Sequence, residues 1–408
     1  MRPRTGLLAL AAVLGPGVLA GLSDDDPAGI TTYSILGADY GYELLWLVLL
    51  STVALVLFHE IGVRMGIATG QGLTGLIRER YGIRAGVLAV GTLLVANVGT
   101  TCAEFAGVAA AMELAGVSRR ISVPVAAVAV SLLVLRGGFR RVEHVLLALS
   151  AVFIAYVLAG LLAGPDWGQA AKGLVVPDMP FTRDAALTAT AVVGTTLAPW
   201  GLAFIQSYAV DKRLTVADFR YERIDVIVGA LLTGVIAVFV VVACAATLHP
   251  SGREIEDARD AATALEPLAG SLAATLFGAG LFGAALLAAS ILPLSTAYSV
   301  SEVAGREAAI DDSLREAPLF YGTYILVVTV AVALVLVPGI ALVPILFLTQ
   351  ALNAVLLLPL LIFVIGIARD PHIMGDQANG RLGTAALMLV TALLAVCLAG
   401  LLVASLSG

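Results

Sequence analysis

The sequence predicts an all-α membrane protein made of two inverted halves of five helices each plus an eleventh helix, with the first and sixth helices broken within the membrane. Three observations carry this reading. The 408-residue chain is 60% hydrophobic and 13% charged, with a mean hydropathy of +1.01, whereas soluble domains carry about a quarter charged residues. Eleven apolar runs approach or exceed the roughly 20 residues that a membrane-crossing helix needs. The pattern x-Pro-x-Gly interrupts the first run at Asp26-Pro27-Ala28-Gly29 and the sixth at Ala198-Pro199-Trp200-Gly201, five spans apart.

The runs cover residues 7–40 (interrupted), 44–58, 85–114, 121–135, 142–163, 185–210, 224–248, 271–300, 320–337, 340–368 and 382–406. They divide a single transmembrane domain, 1–408, into a first repeat (7–163), a second repeat (185–368) and an additional helix (382–406). Forty-two glycines suit closely packed membrane helices. Strict polar–apolar alternation, the mark of an outer-membrane barrel, is missing. Arg2 and Arg4 ahead of an apolar stretch have the outline of a cleaved signal peptide, but the segment GLSDDDPAGI follows at once, and the stretch is read as the start of the first span.

Orientation follows from the basic residues. With the N-terminus inside, 17 of the 23 Lys and Arg residues fall on the cytoplasmic side, the bias that the positive-inside rule requires. The N-terminus is therefore expected in the cytoplasm and the C-terminus outside. The larger external loops, 164–184 and 249–269, carry Asp166, Asp178, Asp184, Glu254, Glu256, Asp257, Asp260 and Glu266. They read either as ordinary solvated loops or as a negative vestibule that concentrates cations.

Several classes of function are excluded. Cys102, Cys244 and Cys397 lie far apart in apolar runs, so neither a disulfide framework nor a zinc ribbon is available. The net charge of −6 and the lack of a long basic stretch leave no reason to expect nucleic acid as a partner. His59-Glu60 is half of a zinc-protease motif, but the position of the second histidine is Val63. Ser290 and Ser295 show no base beside them, so an enzyme is not expected.

The chemistry sits at the breaks. Proline withholds a backbone donor and glycine relaxes the chain, so each break can leave carbonyls free as cation ligands. Paired broken helices in two halves point to a binding site at the membrane midplane. Asp24, Asp25 and Asp26 are costly there, at about 2.5–3.5 kcal/mol each on insertion scales. Asp26 adjoins the break and can face a cation; Asp24 and Asp25 either line the path or meet water. Asn97, Thr101 and Glu104 share one face of the third span, with Glu104 either an ionisable relay or a structural hydrogen-bonding group. Gln350 and Asn353 share a face of the tenth, where their amides can ligate a cation or bond between helices.

These residues give the chain a family resemblance. It resembles the natural resistance-associated macrophage protein (NRAMP) family of divalent-metal transporters through GPGVLAGLSDDDPAGITTYSILGADYGYELLW, RMGIATGQGL, CAEFAG, GTTLAPWGLAFIQS and LTQALNAVLLLP. The resemblance implies a LeuT-like fold and a divalent metal cation as substrate, with no cofactor. It implies a metal site at Asp26, Gly29, Thr195, Ala198, Gln350 and Asn353, with Glu104, Asp25 and Trp200 as proton-relay or gating residues.

The chain departs from the family pattern in ways that bear on the substrate. Where the family has Asp-Pro-Gly-Asn, this chain ends in Gly29; where it has Met-Pro-His, this chain has Ala198-Pro199-Trp200; a nearby family aspartate falls at Thr101. Loss of the thioether leaves oxygen donors, which suit magnesium, calcium or manganese. Gly29 and Ala198 are also expected to free volume for a cation that keeps its waters. Trp200 is expected either to wall the cavity or to present a cation–π face.

The expected function is import of Mg²⁺ or Mn²⁺ by alternating access without proton coupling. The alternatives are a proton-coupled Mn²⁺ or Fe²⁺ importer and a metal-sensing membrane protein that does not transport. The expected setting is the lipid bilayer of a bacterial inner membrane, with the oligomeric state open.

Overall fold

The computed structural model describes residues 20–21, 23–136, 154–252, 255–256, 258–265, 270–306, 310 and 312–407. Among these, every regular element is helical. The first half of the chain forms α1 (Pro27–Tyr40), α2 (Leu45–Thr69), α3 (Leu73–Tyr81), α4 (Ile83–Leu114), α5 (Arg119–Leu135), α6 (Ile154–Leu162) and α7 (Trp167–Val175). The second half forms α8 (Arg183–Thr196), α9 (Pro199–Asp211), α10 (Phe219–Thr247), α11 (Ala273–Val303), α12 (Pro318–Val335), α13 (Leu342–Ala368) and α14 (Arg381–Ser407).

Among the described residues, eight helices are long and apolar enough to cross a membrane, the broken sixth span counting as one. The other three expected spans are the first, fourth and fifth. α5, with 17 residues, is the fourth. Residues 7–19 of the first and 142–153 of the fifth lie outside the described residues, as do Arg2, Arg4, Arg140, Arg141, Glu254, Asp257 and Glu266.

Both expected breaks are present, each built by a proline at the start of the continuing half-helix. Pro27 opens α1 and Pro199 opens α9, where the missing N–H is an orphan in any case and the ring presets φ. The first break has its own cap: Asp26, in extended conformation, accepts from the Gly29 backbone N–H at 2.5 Å. The second has no such side chain, since Ala198 stands at the cap position.

Some boundaries differ from the sequence reading. The second span does not end at residue 58 but runs to Thr69. The polar pair His59-Glu60 looked like a terminus, yet His59 is buried and Glu60 pairs one turn on with Arg64 at 3.2 Å. Loop 164–184 contains α7, capped by Asp166 through the Gln169 N–H at 2.9 Å and tied down where the Trp46 indole donates to the Asp178 carbonyl at 3.1 Å. The connection between the second and third spans holds α3, with Arg78 and Arg80 in its last turn, where positive charge complements the helix dipole.

Two apolar cores hold the bundle. One gathers α1, α2, α8, α10, α13 and α14 around Phe58, Val193, Val241, Leu357 and Leu361. The other joins the third and fourth spans to the eighth and ninth, with α9 laid against them, through Phe105, Val130, Phe204, Leu292 and Tyr324. Large apolar side chains that face outward, such as Ile121, Val125, Val128, Leu389 and Val396, are where lipid is expected.

The loop contacts fall into two sets. Arg64 bonds Asn379, Arg223 pairs with Glu60 at 3.8 Å, and Arg80 pairs with Asp370 at 3.1 Å. These join connections that an eleven-span alternation places on one side. Arg119 pairs with Glu113 at 2.7 Å and reaches the Ile340 carbonyl at 3.0 Å, joining connections on the other.

Candidate cation site at the helix breaks

The two breaks meet around Gly29. A Cβ built on this glycine would stand 2.7 Å from the Asp24 carbonyl oxygen, 3.2 Å from Asp26 Oδ1 and 3.3 Å from Thr195 Oγ1. One backbone carbonyl, one carboxylate and one hydroxyl from two separate broken spans therefore converge on a point where only a hydrogen atom fits. The expectation that Gly29 frees volume is corrected here: the Asp24 carbonyl and its neighbours occupy that space. Their approach is possible because residue 29 has no side chain.

The donors are strongly buried and largely unspent. Asp24, Asp25, Asp26, Thr195 and Glu104 are each at most 3% exposed. Among the described residues, both oxygens of Asp25 and the hydroxyl of Thr195 lack hydrogen-bond partners. Glu104, on α4, faces the Asp26 carboxyl. The two residues approach because Pro27 packs against Gly107, one turn further along α4. Two facing carboxyl groups in a low-dielectric interior repel unless a cation or a proton lies between them.

The tenth-span residues have different roles. Gly194 presses directly on the Gln350 backbone carbonyl, which seats Gln350 against the end of α8, next to Thr195. The Gln350 side chain donates to Thr349 Oγ1 at 3.2 Å and accepts from Asn353 at 3.1 Å. Asn353 exchanges bonds with Thr100 Oγ1 on α4, at 3.1 and 3.3 Å. Its amide is thus committed to tying α13 to α4. Asn97 does the same work toward α11, donating to Thr296 Oγ1 at 2.9 Å, while its oxygen and the Thr101 hydroxyl have no partner among the described residues.

At the second break, Ala198 lies in the apolar core with Ala28. Trp200 is 1% exposed and packs in the same core with its ring centroid 6.4 Å from that of Phe204, while its carbonyl accepts from Ser295 Oγ at 3.2 Å. Its ring is a packing element there. Ser290 bonds the Leu286 carbonyl at 2.7 Å, so both serines considered as nucleophiles are spent on helix carbonyls.

His59 is a residue that sequence reasoning set aside. On α2 it is 1% exposed, with Nε2 at 3.8 Å from Asp24 Oδ2. A lone histidine inside an apolar run was the available signal, masked by the expectation that the span ended there. At the C-terminal end of α1, residues Tyr40–Glu43 and the segments around Asp166, Asp178 and His249 line an open cavity of about 540 Å³.

Comparison with known proteins bears on the family and the fold. The "Divalent metal cation transporter MntH" of Burkholderia ambifaria is 33% identical over 292 residues, 67% of this chain and 64% of that protein; the alignment thus spans just under two thirds of that relative. The fold matches the Eremococcus coleocola manganese transporter with a TM-score of 0.77 at 20% identity, covering 97% of this chain and 87% of that one. It matches Mhp1, a nucleobase-cation-symport-1 family transporter, with a TM-score of 0.56 at 16% identity over 96% and 91%. The LeuT-like architecture expected from the sequence is the one observed. Residues 17–404 match the family described as natural resistance-associated macrophage protein-like, and the chain belongs to that family.

Proposed function

We propose that this protein is a secondary transporter that carries a hard divalent cation, Mn²⁺ or Mg²⁺, through the junction of its two broken spans by alternating access. The observation that carries this reading is the convergence on Gly29 of the Asp24 carbonyl, the Asp26 carboxylate and the Thr195 hydroxyl, with Glu104 facing Asp26. All of these donors are oxygens, the set that suits magnesium, calcium and manganese. Gln350, beside Thr195 on the neighbouring helix, supplies an amide oxygen once its bond to Asn353 is released. The names of the relatives, a divalent metal cation transporter and a manganese transporter, point to the same class of substrate.

The bilayer is proposed to be a bacterial inner membrane, with the N-terminus in the cytoplasm and the acidic loops and the outer cavity on the entry side. Transfer of two positive charges through 100 mV supplies about 4.6 kcal/mol, enough to drive entry without a coupled ion. The Glu104–Asp26 pair favours a second reading, proton-coupled import, because two facing carboxyls can exchange a cation for a proton.

Uptake into proteoliposomes with Mg²⁺, Mn²⁺, Ca²⁺ and Cd²⁺, with internal pH recorded, decides among these. Mn²⁺ and Mg²⁺ are expected to enter without acidification, and Asp26→Ala is expected to lower uptake at least tenfold. Acidification that follows the metal and is lost in Glu104→Gln establishes the coupled reading instead. Failure of every ion to enter would overturn transport in favour of a metal-sensing role.

A further inference from the structure

Asp24 has two ends that face different places. Its backbone carbonyl lies against Gly29 in the proposed cation site, whereas its carboxylate turns toward α2 and lies 3.8 Å from His59 Nε2. A Cβ on Gly201, in the first turn after the second break, would stand 3.1 Å from His59 Nε2 and 4.0 Å from Asp24 Oδ1. Imidazole and carboxylate therefore share a buried spot between the two broken spans and the second helix. Both groups are at most 2% exposed, and neither ring nitrogen of His59 nor Asp24 Oδ2 makes a hydrogen bond among the described residues.

Such an arrangement is costly without a further ligand. A buried polar group lacking its hydrogen bond costs about 1–3 kcal/mol, and here three such atoms stand together. The 3.8 Å gap is too long for a hydrogen bond. It falls within the roughly 3–4 Å that separates two ligands of one metal ion bonded at about 2.1 Å to each.

We propose that Asp24 and His59 form a second cation subsite, one residue's width from the first, which adds a nitrogen ligand and favours transition-metal divalent ions over Mg²⁺ and Ca²⁺. This deepens the transport reading and rests on the helix-break junction being the metal path. Imidazole is a borderline ligand that Mg²⁺ and Ca²⁺ avoid, so the subsite sets preference within the divalent class. Among the described residues no three acid, cysteine or histidine side chains converge at ligand spacing. The subsite is therefore a two-ligand station completed by water or backbone oxygen. A weak station of this kind suits a path, where an ion has to leave as well as enter.

The test uses the untagged full chain in detergent with saturating Mn²⁺, read by electron spin-echo envelope modulation, which detects a ¹⁴N nucleus bonded to the metal. The native protein is expected to show ¹⁴N modulation, and His59→Gln to lose it. In parallel titrations, His59→Gln is expected to lower the ratio of Cd²⁺ to Mg²⁺ affinity at least tenfold, and Asp24→Asn is expected to weaken the ¹⁴N signal while leaving the imidazole in place. Absence of modulation in the native protein overturns the proposal without recourse to any variant. Persistence in His59→Gln overturns it as well, assigning the nitrogen to another histidine. Because this readout does not depend on flux, it separates failure of the subsite from failure of transport: a native protein that takes up no ion in liposomes but shows the His59 signal keeps the subsite and loses the transport reading.

Discussion

Gly29 illustrates how much a single position decides. With only a hydrogen atom there, the Asp24 carbonyl, Asp26 and Thr195 close on one point; any Cβ would push the carbonyl away. Gly29→Ala is expected to destabilise the fold by about 1–3 kcal/mol, the usual cost of overpacking, and to lower Mn²⁺ uptake at least tenfold. Thermal melting in detergent beside a flux assay checks both, and a variant that melts and transports like the native protein would show that the point is open space. Asp26 was legible in the sequence because an aspartate followed by Pro-x-Gly in an apolar run has few structural uses. His59 was not, since an isolated His-Glu pair looks the same whether a helix ends there or continues.

Polar bonds placed in apolar surroundings tie particular helices to one another. Asn353 ties α13 to α4 through Thr100, and Asn97 ties α4 to α11 through Thr296. Asn353→Leu leaves the Thr100 hydroxyl without that partner and frees Gln350; a loss of about 1–3 kcal/mol is expected, visible as a lower melting temperature with altered Mn²⁺ affinity. Glu302 on α11 plays a similar part at the other end of the bundle. It accepts from Ser207 Oγ on α9 at 2.6 Å and from Thr74 Oγ1 on α3 at 2.8 Å, while Gln206 donates to the Gln71 carbonyl at 2.9 Å. These bonds hold the far end of the second broken span against α3. Glu302→Ala is expected to loosen that end, so that a cysteine placed at Ser207 reacts with thiol reagents several-fold faster than in the Glu302 background. Equal rates would mean that the bonds do not restrain α9. The halves of the broken spans were legible from proline and glycine; α3 and α7 were not, because short polar-faced helices between spans have the composition of loops.

At the scale of the molecule, the proposed topology sorts the charged contacts into two sets. Arg64, Arg80 and Arg223 meet partners on one face, and Arg119 meets Glu113 and the Ile340 carbonyl on the other. A membrane-impermeant thiol reagent added to intact cells is expected to label Ala115→Cys and to spare Arg84→Cys, both exposed positions, in a background lacking Cys397. The reverse pattern would invert the proposed topology, and equal labelling of both would break the alternation of eleven spans.

The sequence by itself determined the class, the place of both breaks and the carboxylate at the first, because hydropathy, proline and charge act locally along a helix and do not depend on its neighbours. Only the tertiary structure decided which way each polar group turns. It committed Asn353 to Thr100 and Trp200 to an apolar core, closed the space at Gly29, and brought His59 from the second helix to Asp24 on the first. The reason is physical: a helix displays its residues around a full circle, and a polar side chain acts as a ligand, a tie or a wall according to which neighbouring helix it meets.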